Sequence, residues 1–231
     1  MKILGIIPAR GGSKGIPGKN IKLLGNKPLL EYTVDSVSSS KFLDRCILSS
    51  DDDNIIQVAQ KLGLEVPFKR PSNLAGDNIF SLDVIKHTLD FFEAKNEYFD
   101  VVCFLQVTSP FREKSLIDKA ILKFKESEAD CLISVREVPV EYNPHWTFEP
   151  DETNLLQIAT GESEIISQRQ KLPKAYHRDG SIYLTKTSVI KNQNSLYGKK
   201  ISFIDTTGSS YVNIDEPEDW EKAEKILKWI E

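Results

Sequence analysis

Glycines and cations are concentrated just after the first apolar segment, in the run IIPARGGSKGIPGKN at residues 6–20. The positions that matter for chemistry include Arg10, Gly11, Gly12, Lys14, Gly15 and Lys19. The glycines allow backbone N–H groups to approach an anion closely, and the cations add positive charge. Because the whole chain has a net charge of -4, this cationic cluster is local. A chain of phosphates is the favoured ligand, and a glycine-rich turn with solvated lysines is the alternative.

The spacing of this loop excludes two common phosphate-binding motifs. A Walker P-loop needs a glycine five residues before its Gly-Lys pair, and Ser13 stands in that place before Gly18 and Lys19. Asn20 also stands where serine or threonine should follow. The glycine spacing differs from that of a dinucleotide-binding loop as well, which argues against an oxidoreductase.

The rest of the chain alternates short apolar runs with amphipathic segments. Runs typical of strands are KILGII (2–7), RCILSS (45–50), VVCFLQV (101–107), CLISV (131–135), SIYLT (181–185) and KISFI (200–204). Helical periodicity falls between them, at about 53–63, 81–92, 113–126 and from 217 onward. This alternation predicts an α/β fold with a doubly wound, mostly parallel sheet, in a single domain over residues 1–231. In such a sheet the loop after the first strand lies at the ligand-binding edge.

Residues 138–180 interrupt this alternation with prolines, aromatic residues and charges that show no clear period. The segment is too long for an idle loop in a compact domain. We interpret it as an insertion that serves as a subdomain, a lid or a dimerisation arm, and we expect the chain to return to the sheet at residues 181–185.

Composition restricts the environment and the partners of the protein. The chain has 40% hydrophobic residues and a slightly acidic balance, so we expect neither nucleic acid nor a membrane as partner. Cys46, Cys103 and Cys131 each lie in an apolar run, and their odd number favours buried, reduced thiols in the cytoplasm. The N-terminus does not resemble a signal peptide, because Pro8 and Arg10 interrupt its apolar run.

Six short motifs follow one another along nearly the whole chain: IPARGGSKGIPGKN, LSSDDDNI, RPSNLAGDN, FLQVTSPFR, QRQKLPKAYHRDGSIYL and VNIDEPEDW. In this order they resemble the motifs of the CMP-sialic acid synthetases, the cytidylyltransferases that activate nonulosonic acids. Six motifs in the correct order are specific for the family, although not for its substrate. The resemblance implies a nucleotidyltransferase fold of Rossmann-like type with an inserted dimerisation segment.

The resemblance also implies the substrates, CTP and a nine-carbon 2-keto sugar acid whose anomeric hydroxyl attacks the α-phosphate. The implied contacts with the nucleotide are Arg10, Gly11, Gly12, Ser13, Lys14, Lys19, Asn20 and Ser81. Lys19 is expected to stabilise charge on the transferring phosphate, with Arg10 beside it. Ser81 by itself could equally be a helix cap.

A catalytic magnesium ion is implied at Asp215. Taken alone, Asp215 and Glu218 predict a capping box at the start of the last helix. Asn213 stands where many family members have a second aspartate, and its carbonyl can ligate a metal without adding charge or acting as a base. We expect one Mg²⁺ held by Asp215 and phosphate oxygens, with Asn213 as a neutral second ligand. The acidic run Asp51–Asp53 is interpreted as a helix N-cap instead.

The sugar acid is expected to contact Gln106 at the end of a strand, and Arg169 and Gln170 in the inserted segment. Arginine grips carboxylates through two parallel hydrogen bonds, so Arg169 is the implied carboxylate clamp. In the family this segment forms a homodimer and can complete the sugar site of the neighbouring subunit.

Two alternatives remain open from the sequence. The first is the same chemistry on 3-deoxy-manno-octulosonic acid or with a different nucleoside triphosphate. The second is a catalytically silent regulator that binds nucleotide, which the substitution at Asn213 keeps possible.

Overall fold

The structure, a computed structural model, describes residues 1–230. Its main sheet has six strands in the order β10-β6-β9-β5-β1-β4. Two further pairs of short antiparallel strands, β2 with β3 and β7 with β8, lie outside it. The strands are β1 (Ile3–Pro8), β2 (Leu23–Leu24), β3 (Lys27–Pro28), β4 (Arg45–Ser49), β5 (Val101–Phe104), β6 (Cys131–Glu137), β7 (Phe148–Pro150), β8 (Leu156–Ile158), β9 (Tyr176–Lys186) and β10 (Ile201–Asp205).

Helices cover both faces of the sheet. They are α1 (Leu29–Ser38), α2 (Asp53–Lys61), α3 (Ser81–Glu93), α4 (Leu116–Glu126), α5 (Thr187–Gln193) and α6 (Pro217–Ile230). Buried side chains of α1, α2, α4 and α6 form one apolar core with the sheet. Those of α3 and α5 form the second core on the opposite face. The predicted doubly wound α/β fold is therefore confirmed.

Strand β9 departs from the parallel arrangement. It lies in the interior of the sheet, antiparallel to both β5 and β6, whereas the other neighbouring strands of the sheet are parallel. It begins at Tyr176, so the prediction that the chain returns to the sheet at residue 181 was wrong. Residues 176–178 pair with the end of β6 between Val135 and Glu137. The polar sequence of residues 176–178 does not predict a strand, and the strand forms there because it pairs with the backbone of β6.

The inserted segment is mostly irregular. It contains the β7–β8 hairpin and three short 3₁₀ turns, at Val140–Tyr142, Pro144–Trp146 and Arg169–Lys171. Several large apolar side chains of this segment are exposed, among them Tyr142, Phe148, Leu155, Leu156 and Ile165. Trp146 fastens the segment internally, because its Nε1 donates to the carbonyl oxygen of Ile166 at 2.6 Å.

The predicted helices are present, and Asp52 caps α2 as the acidic run suggested. Its carboxylate accepts from the backbone N–H groups of Asn54 and Ile55. Helices α1 and α5 were not predicted. Between residues 1 and 230, none of the helices combines the length and apolar character needed to cross a bilayer.

Candidate active site

A cleft of about 430 Å³ opens at the carboxyl ends of β1 and β5, beside the start of α6. We call it the nucleotide cleft. Eight of the residues predicted from the sequence line it: Arg10, Ser13, Lys14, Lys19, Asn20, Ser81, Gln106 and Asp215. The fold therefore gathers residues from four distant parts of the chain at the sheet edge where α/β proteins bind ligands.

The glycine-rich loop is folded tightly by its own side chains and by contact with α6. Gly18 adopts a left-handed φ of 64° and starts a 3₁₀ turn that buries Lys19 and Asn20. Asn20 Nδ2 donates to the carbonyl oxygen of Arg10 at 2.9 Å and so closes the loop. A Cβ at Gly15 would lie 2.2 Å from the carbonyl oxygen of Asp215, so only glycine allows this close approach.

The side chain of Lys19 extends through the loop to the beginning of the last helix. Its Nζ donates to the carbonyl oxygen of Ile214 at 2.6 Å and to Asp215 Oδ1 at 2.9 Å. Lys19 is buried, whereas more than half of the Asp215 side chain is exposed in the cleft. The ammonium is thus fixed in place, and the carboxylate beside it faces the space where a ligand would bind.

The capping interpretation of Asp215 was wrong. The carboxylate of Asp219 accepts from the backbone N–H groups of Asp215 and Glu216, at 3.2 and 3.1 Å, and caps the helix in its place. The second carboxylate oxygen of Asp215 accepts from Asn213 Nδ2. Both oxygens are therefore directed by neighbours while the side chain stays accessible.

The residues present fit a single magnesium ion better than a metal pair. No cluster of three acidic, histidine or cysteine side chains suited to a metal occurs within residues 1–230. Asp215 offers one hard oxygen donor in the nucleotide cleft, and phosphate oxygens and water would supply the others. Asn213 does not line the cleft and directs its amide nitrogen at Asp215, so its predicted role as a second ligand has no support in this arrangement.

Opposite the loop, Asp77 pairs with two of the predicted phosphate-binding cations. Its carboxylate oxygens lie 2.9 Å from Arg10 Nη2 and 2.7 Å from Lys14 Nζ. The hydrogen bond from Lys14, with the positive charges nearby, lowers the pKa of Asp77 below its usual value. A triphosphate would compete with this carboxylate for the same cations.

Arg70 is a further cation of the cleft that the sequence reasoning did not assign. It is almost fully buried, and its guanidinium donates to the Ser49 side chain and carbonyl oxygen at the end of β4. Burial lowers its pKa to about 10, which leaves it charged at neutral pH. Its position in the motif RPSNLAGDN was the signal that could have identified it.

Gly11 and Gly12 were predicted to bind an anion through their backbone N–H groups, but neither glycine lines the nucleotide cleft. The N–H of Gly11 already donates to Asp51 Oδ1 at 3.1 Å. Gly11 also lies close against Asp52, because a Cβ there would be 2.7 Å from Asp52 Oδ2. Gly11 thus serves to dock the loop against the start of α2.

Gln106 contacts a buried arginine through its backbone and lies close to a glycine through its side chain. Arg112 donates to the carbonyl oxygens of Gln106 and Ser181 and to Thr33 Oγ1, so it ties three elements together. A Cβ at Gly180, whose φ is 80°, would lie 2.7 Å from Gln106 Oε1. Ser81 is the first residue of α3, after the N-cap residue Phe80, and it lines the cleft.

The other two predicted sugar contacts lie elsewhere in this chain. Arg169 and Gln170 line a separate cleft of about 350 Å³, formed by the inserted segment and the end of β6. That cleft shares no lining residue with the nucleotide cleft. The structure of the chain therefore does not bring Arg169 or Gln170 to Gln106.

Comparison with known proteins identifies the family of the chain. Residues 4–226 match the family described as Cytidylyltransferase, and the chain belongs to that family of nucleotidyltransferase enzymes. It is 34% identical to the pseudaminic acid cytidylyltransferase of Campylobacter jejuni serotype O:2, over 99% of this chain and 97% of that protein. It is 32% identical to the CMP-N,N'-diacetyllegionaminic acid synthase of Legionella pneumophila, over 99% of this chain and 97% of that protein.

A solved structure supports the fold. The CMP:2-keto-3-deoxy-manno-octonic acid synthetase complexed with CTP superposes with a TM-score of 0.75, covering the whole of both chains at 15% identity. The resemblance found in the sequence, and the nucleotidyltransferase fold that it implied, are thereby confirmed.

Proposed function

We propose that this protein transfers CMP from CTP to the anomeric hydroxyl of a nine-carbon 2-keto sugar acid and releases pyrophosphate. The observation that carries the proposal is the Lys19–Asp215 pair, which closes a cleft that Arg10, Lys14 and Arg70 also line. Relatives 34% and 32% identical to the chain are named for pseudaminic and diacetyllegionaminic acids, which supports an acid of this type.

The cations of the cleft match the charge of a triphosphate. Arg10 and Lys14 would exchange Asp77 for phosphate oxygens, because a triphosphate carries more negative charge than one carboxylate. Lys19, fixed by Ile214 and Asp215, would neutralise charge on the α-phosphate as the new bond forms. The oxygen of the sugar hydroxyl bonds to the α-phosphorus and its proton is released to water. The bond from that phosphorus to the bridging oxygen breaks, and pyrophosphate leaves with the electron pair.

A magnesium ion held by Asp215 would neutralise phosphate charge and orient the triphosphate when bound. Asn213 would act through Asp215, since its amide fixes one carboxylate oxygen. Glu216 also lines the cleft and adds a second negative charge near the same position.

We propose a homodimer in which the inserted segment is the interface. Its exposed apolar residues Tyr142, Phe148, Leu155, Leu156 and Ile165 support this, because an apolar surface of this kind favours a protein partner. Arg169 and Gln170 would then reach the sugar site of the other subunit. Sedimentation should give a dimer, and Leu155→Asp with Leu156→Asp should give monomers; a monomeric wild type would contradict the assembly.

We place the reaction in the cytoplasm. Cys46, Cys103 and Cys131 are free thiols, which supports a reducing environment.

The test is pyrophosphate release from CTP and Mg²⁺ with pseudaminic, N,N'-diacetyllegionaminic and N-acetylneuraminic acids. UTP, ATP and GTP serve as nucleotide controls, and 3-deoxy-manno-octulosonic acid tests the eight-carbon alternative. The proposal predicts release with CTP and a nine-carbon acid. Release only with the eight-carbon acid, or tight CTP binding without any release, would contradict it and favour the sibling enzyme or the silent regulator.

A further inference from the structure

A second cleft opens beside the nucleotide cleft and contains an arginine that forms no ion pair with a carboxylate within residues 1–230. We call it the side cleft; it measures about 400 Å³ and shares Ser81, Phe104 and Gln106 with the nucleotide cleft. Its far wall is formed by Arg178 and Tyr183 of β9 and by residues 194–197 after α5. A ligand in the side cleft would therefore lie next to any nucleotide bound at Gln106.

Arg178 reaches the side cleft because the pairing of β9 with β6 is irregular. Residues 178 and 183 are five apart, and strict alternation would place them on opposite faces of the sheet. Ile133 pairs with Tyr183 while Val135 pairs with Arg178, so two steps along β6 match five along β9. The extra residues reverse the alternation, and both side chains line the same cleft.

The buried carboxylate of Asp179 stabilises the irregular pairing between β9 and β6. Asp179 accepts from the backbone N–H of Ser181 at 2.9 Å, from Thr206 Oγ1 at 2.6 Å and from the hydroxyl of Ser134. These bonds fix the backbone next to Arg178. The direction of the Arg178 side chain is thus built into the sheet and does not depend on a flexible loop.

The guanidinium of Arg178 is oriented in advance of any ligand. Its Nη1 donates to Tyr197 Oη at 2.6 Å, and its side chain also interacts with that of Tyr183. No carboxylate in the part of the chain that the structure describes forms an ion pair with it, although it is exposed. A cation held by tyrosines at the rim of a cleft is suited to an anionic ligand.

The rest of the side cleft distinguishes a sugar acid from a simple phosphate. Phe80, Leu82, Phe104 and Leu196 provide an apolar wall, and Phe80 is 76% exposed at its rim. An acid that also carries acyl or methyl substituents can cover this surface, which a small inorganic anion cannot.

We propose that Arg178 binds the carboxylate of the sugar acid from within the same subunit as the nucleotide. This inference rests on the proposed function and changes one part of it, because the sequence had assigned the carboxylate to Arg169. Arg169 lies in another cleft of the chain and would need the second subunit to reach this acid.

The test compares Arg178→Ala with His177→Ala, its neighbour outside the side cleft, and with Arg169→Ala. We expect Arg178→Ala to raise the KM for the sugar acid about ten- to a hundredfold, the range lost with a charge-assisted hydrogen bond. The KM for CTP, kcat and the unfolding midpoint should stay near those of the wild type, because Arg178 is exposed and lies outside the phosphate site. Arg178→Lys should recover part of the loss, since it keeps the charge without the planar fork.

The methyl ester of the acid separates charge recognition from a change of shape. The wild type should use the ester as poorly as Arg178→Ala uses the acid, and the two proteins should not differ on the ester. An unchanged KM for the acid in Arg178→Ala, or an equal rise in the KM for CTP, would overturn the inference while leaving the proposed function intact. A wild type that releases pyrophosphate with none of the acids would overturn both.

Discussion

Lys19 and Asp215 are 196 positions apart in the chain, yet Nζ of the one lies 2.9 Å from Oδ1 of the other. The contact joins the glycine-rich loop after β1 to the start of α6. It also places a buried cation and an accessible carboxylate at one point of the nucleotide cleft. In the proposed reaction the cation would face the phosphate and the carboxylate would hold the metal, so a single tertiary contact would position both charges.

Removing the charge of Lys19 should lower turnover strongly. Lys19→Met keeps most of the length of the buried side chain and removes the ammonium, so we expect kcat to fall about a hundredfold or more. Lys22→Met is the matched control, because Lys22 lies over the Trp220 ring outside the cleft. Steady-state kinetics with CTP would measure both variants, and normal turnover of Lys19→Met would remove Lys19 from the transition state.

Two aspartates of the same turn should separate metal binding from helix capping. Asp215→Asn should raise the Mg²⁺ concentration needed for half-maximal activity and lower kcat, and it should also lower stability because the buried Lys19 loses its charged partner. Asp219→Ala removes the accepting oxygens and should lower the free energy of unfolding, by about 1 kcal/mol for a lost cap, without changing the Mg²⁺ dependence. Magnesium titrations and chemical denaturation of both variants would measure this, and the opposite pattern would restore Asp215 to the cap.

Neutralising Asp77 should strengthen nucleotide binding. Asp77→Asn releases Arg10 and Lys14 from their carboxylate partner, so we expect the KM for CTP to fall a few-fold at low salt. The pKa of Asp77 is lowered, so its carboxylate stays charged below the usual carboxyl pH range and its ion pairs are lost only in stronger acid. Asp53→Asn, which loses a partner of Lys69 outside the cleft, is the control. A higher KM for Asp77→Asn would mean that Asp77 itself contacts the nucleotide.

A methyl group at Gly180 should damage the sugar site through Gln106. Gly180→Ala and Gly161→Ala share almost the same left-handed backbone, with φ of 80° and 81°. Each should lose about 1–2 kcal/mol of stability for that reason. Only at Gly180 would the new Cβ contact Gln106 Oε1, whereas nothing lies within 4 Å of a Cβ at Gly161. A raised KM for the acid is therefore expected in Gly180→Ala alone; equal kinetics in both variants would contradict this.

His87 should make the protein less stable as the pH falls. It stands edge-on to Phe68, and burial together with the charge of Arg70 lowers its pKa. The unfolded chain therefore binds a proton that the folded state resists, and stability falls below about pH 6.5. Between pH 7.5 and pH 5.5, the unfolding midpoint of His87→Leu should fall less than that of the wild type. His177→Gln is the control, and the same loss in all three proteins would contradict the role of His87.

The fold could be predicted where one signal dominates locally. The strand VVCFL is apolar throughout, and the periodic helices between strands bury one face, so both are visible in the sequence. The start of β9 was missed because Tyr176, His177 and Arg178 are polar or aromatic and are held by pairing with β6. Its antiparallel direction is likewise a property of the neighbouring strands and not of its own residues.

The candidate site could be predicted only in part. Local composition identified the cationic loop, and the family motifs pointed to Lys19, Gln106 and Asp215. The pairing of Asp77 with Arg10 and Lys14, and the bulge that directs Arg178, depend on contacts between segments far apart in the chain. No periodicity or spacing in a single sequence carries such information.

The most direct measurement follows the oxygen that forms the new bond. The sugar acid is labelled with ¹⁸O at the anomeric hydroxyl, and both products of its reaction with CTP are analysed by mass spectrometry. Attack of that hydroxyl on the α-phosphate predicts CMP-linked sugar that retains the label and pyrophosphate that contains none. Label in the pyrophosphate, or a nucleotide product other than a CMP-linked sugar, would contradict the account.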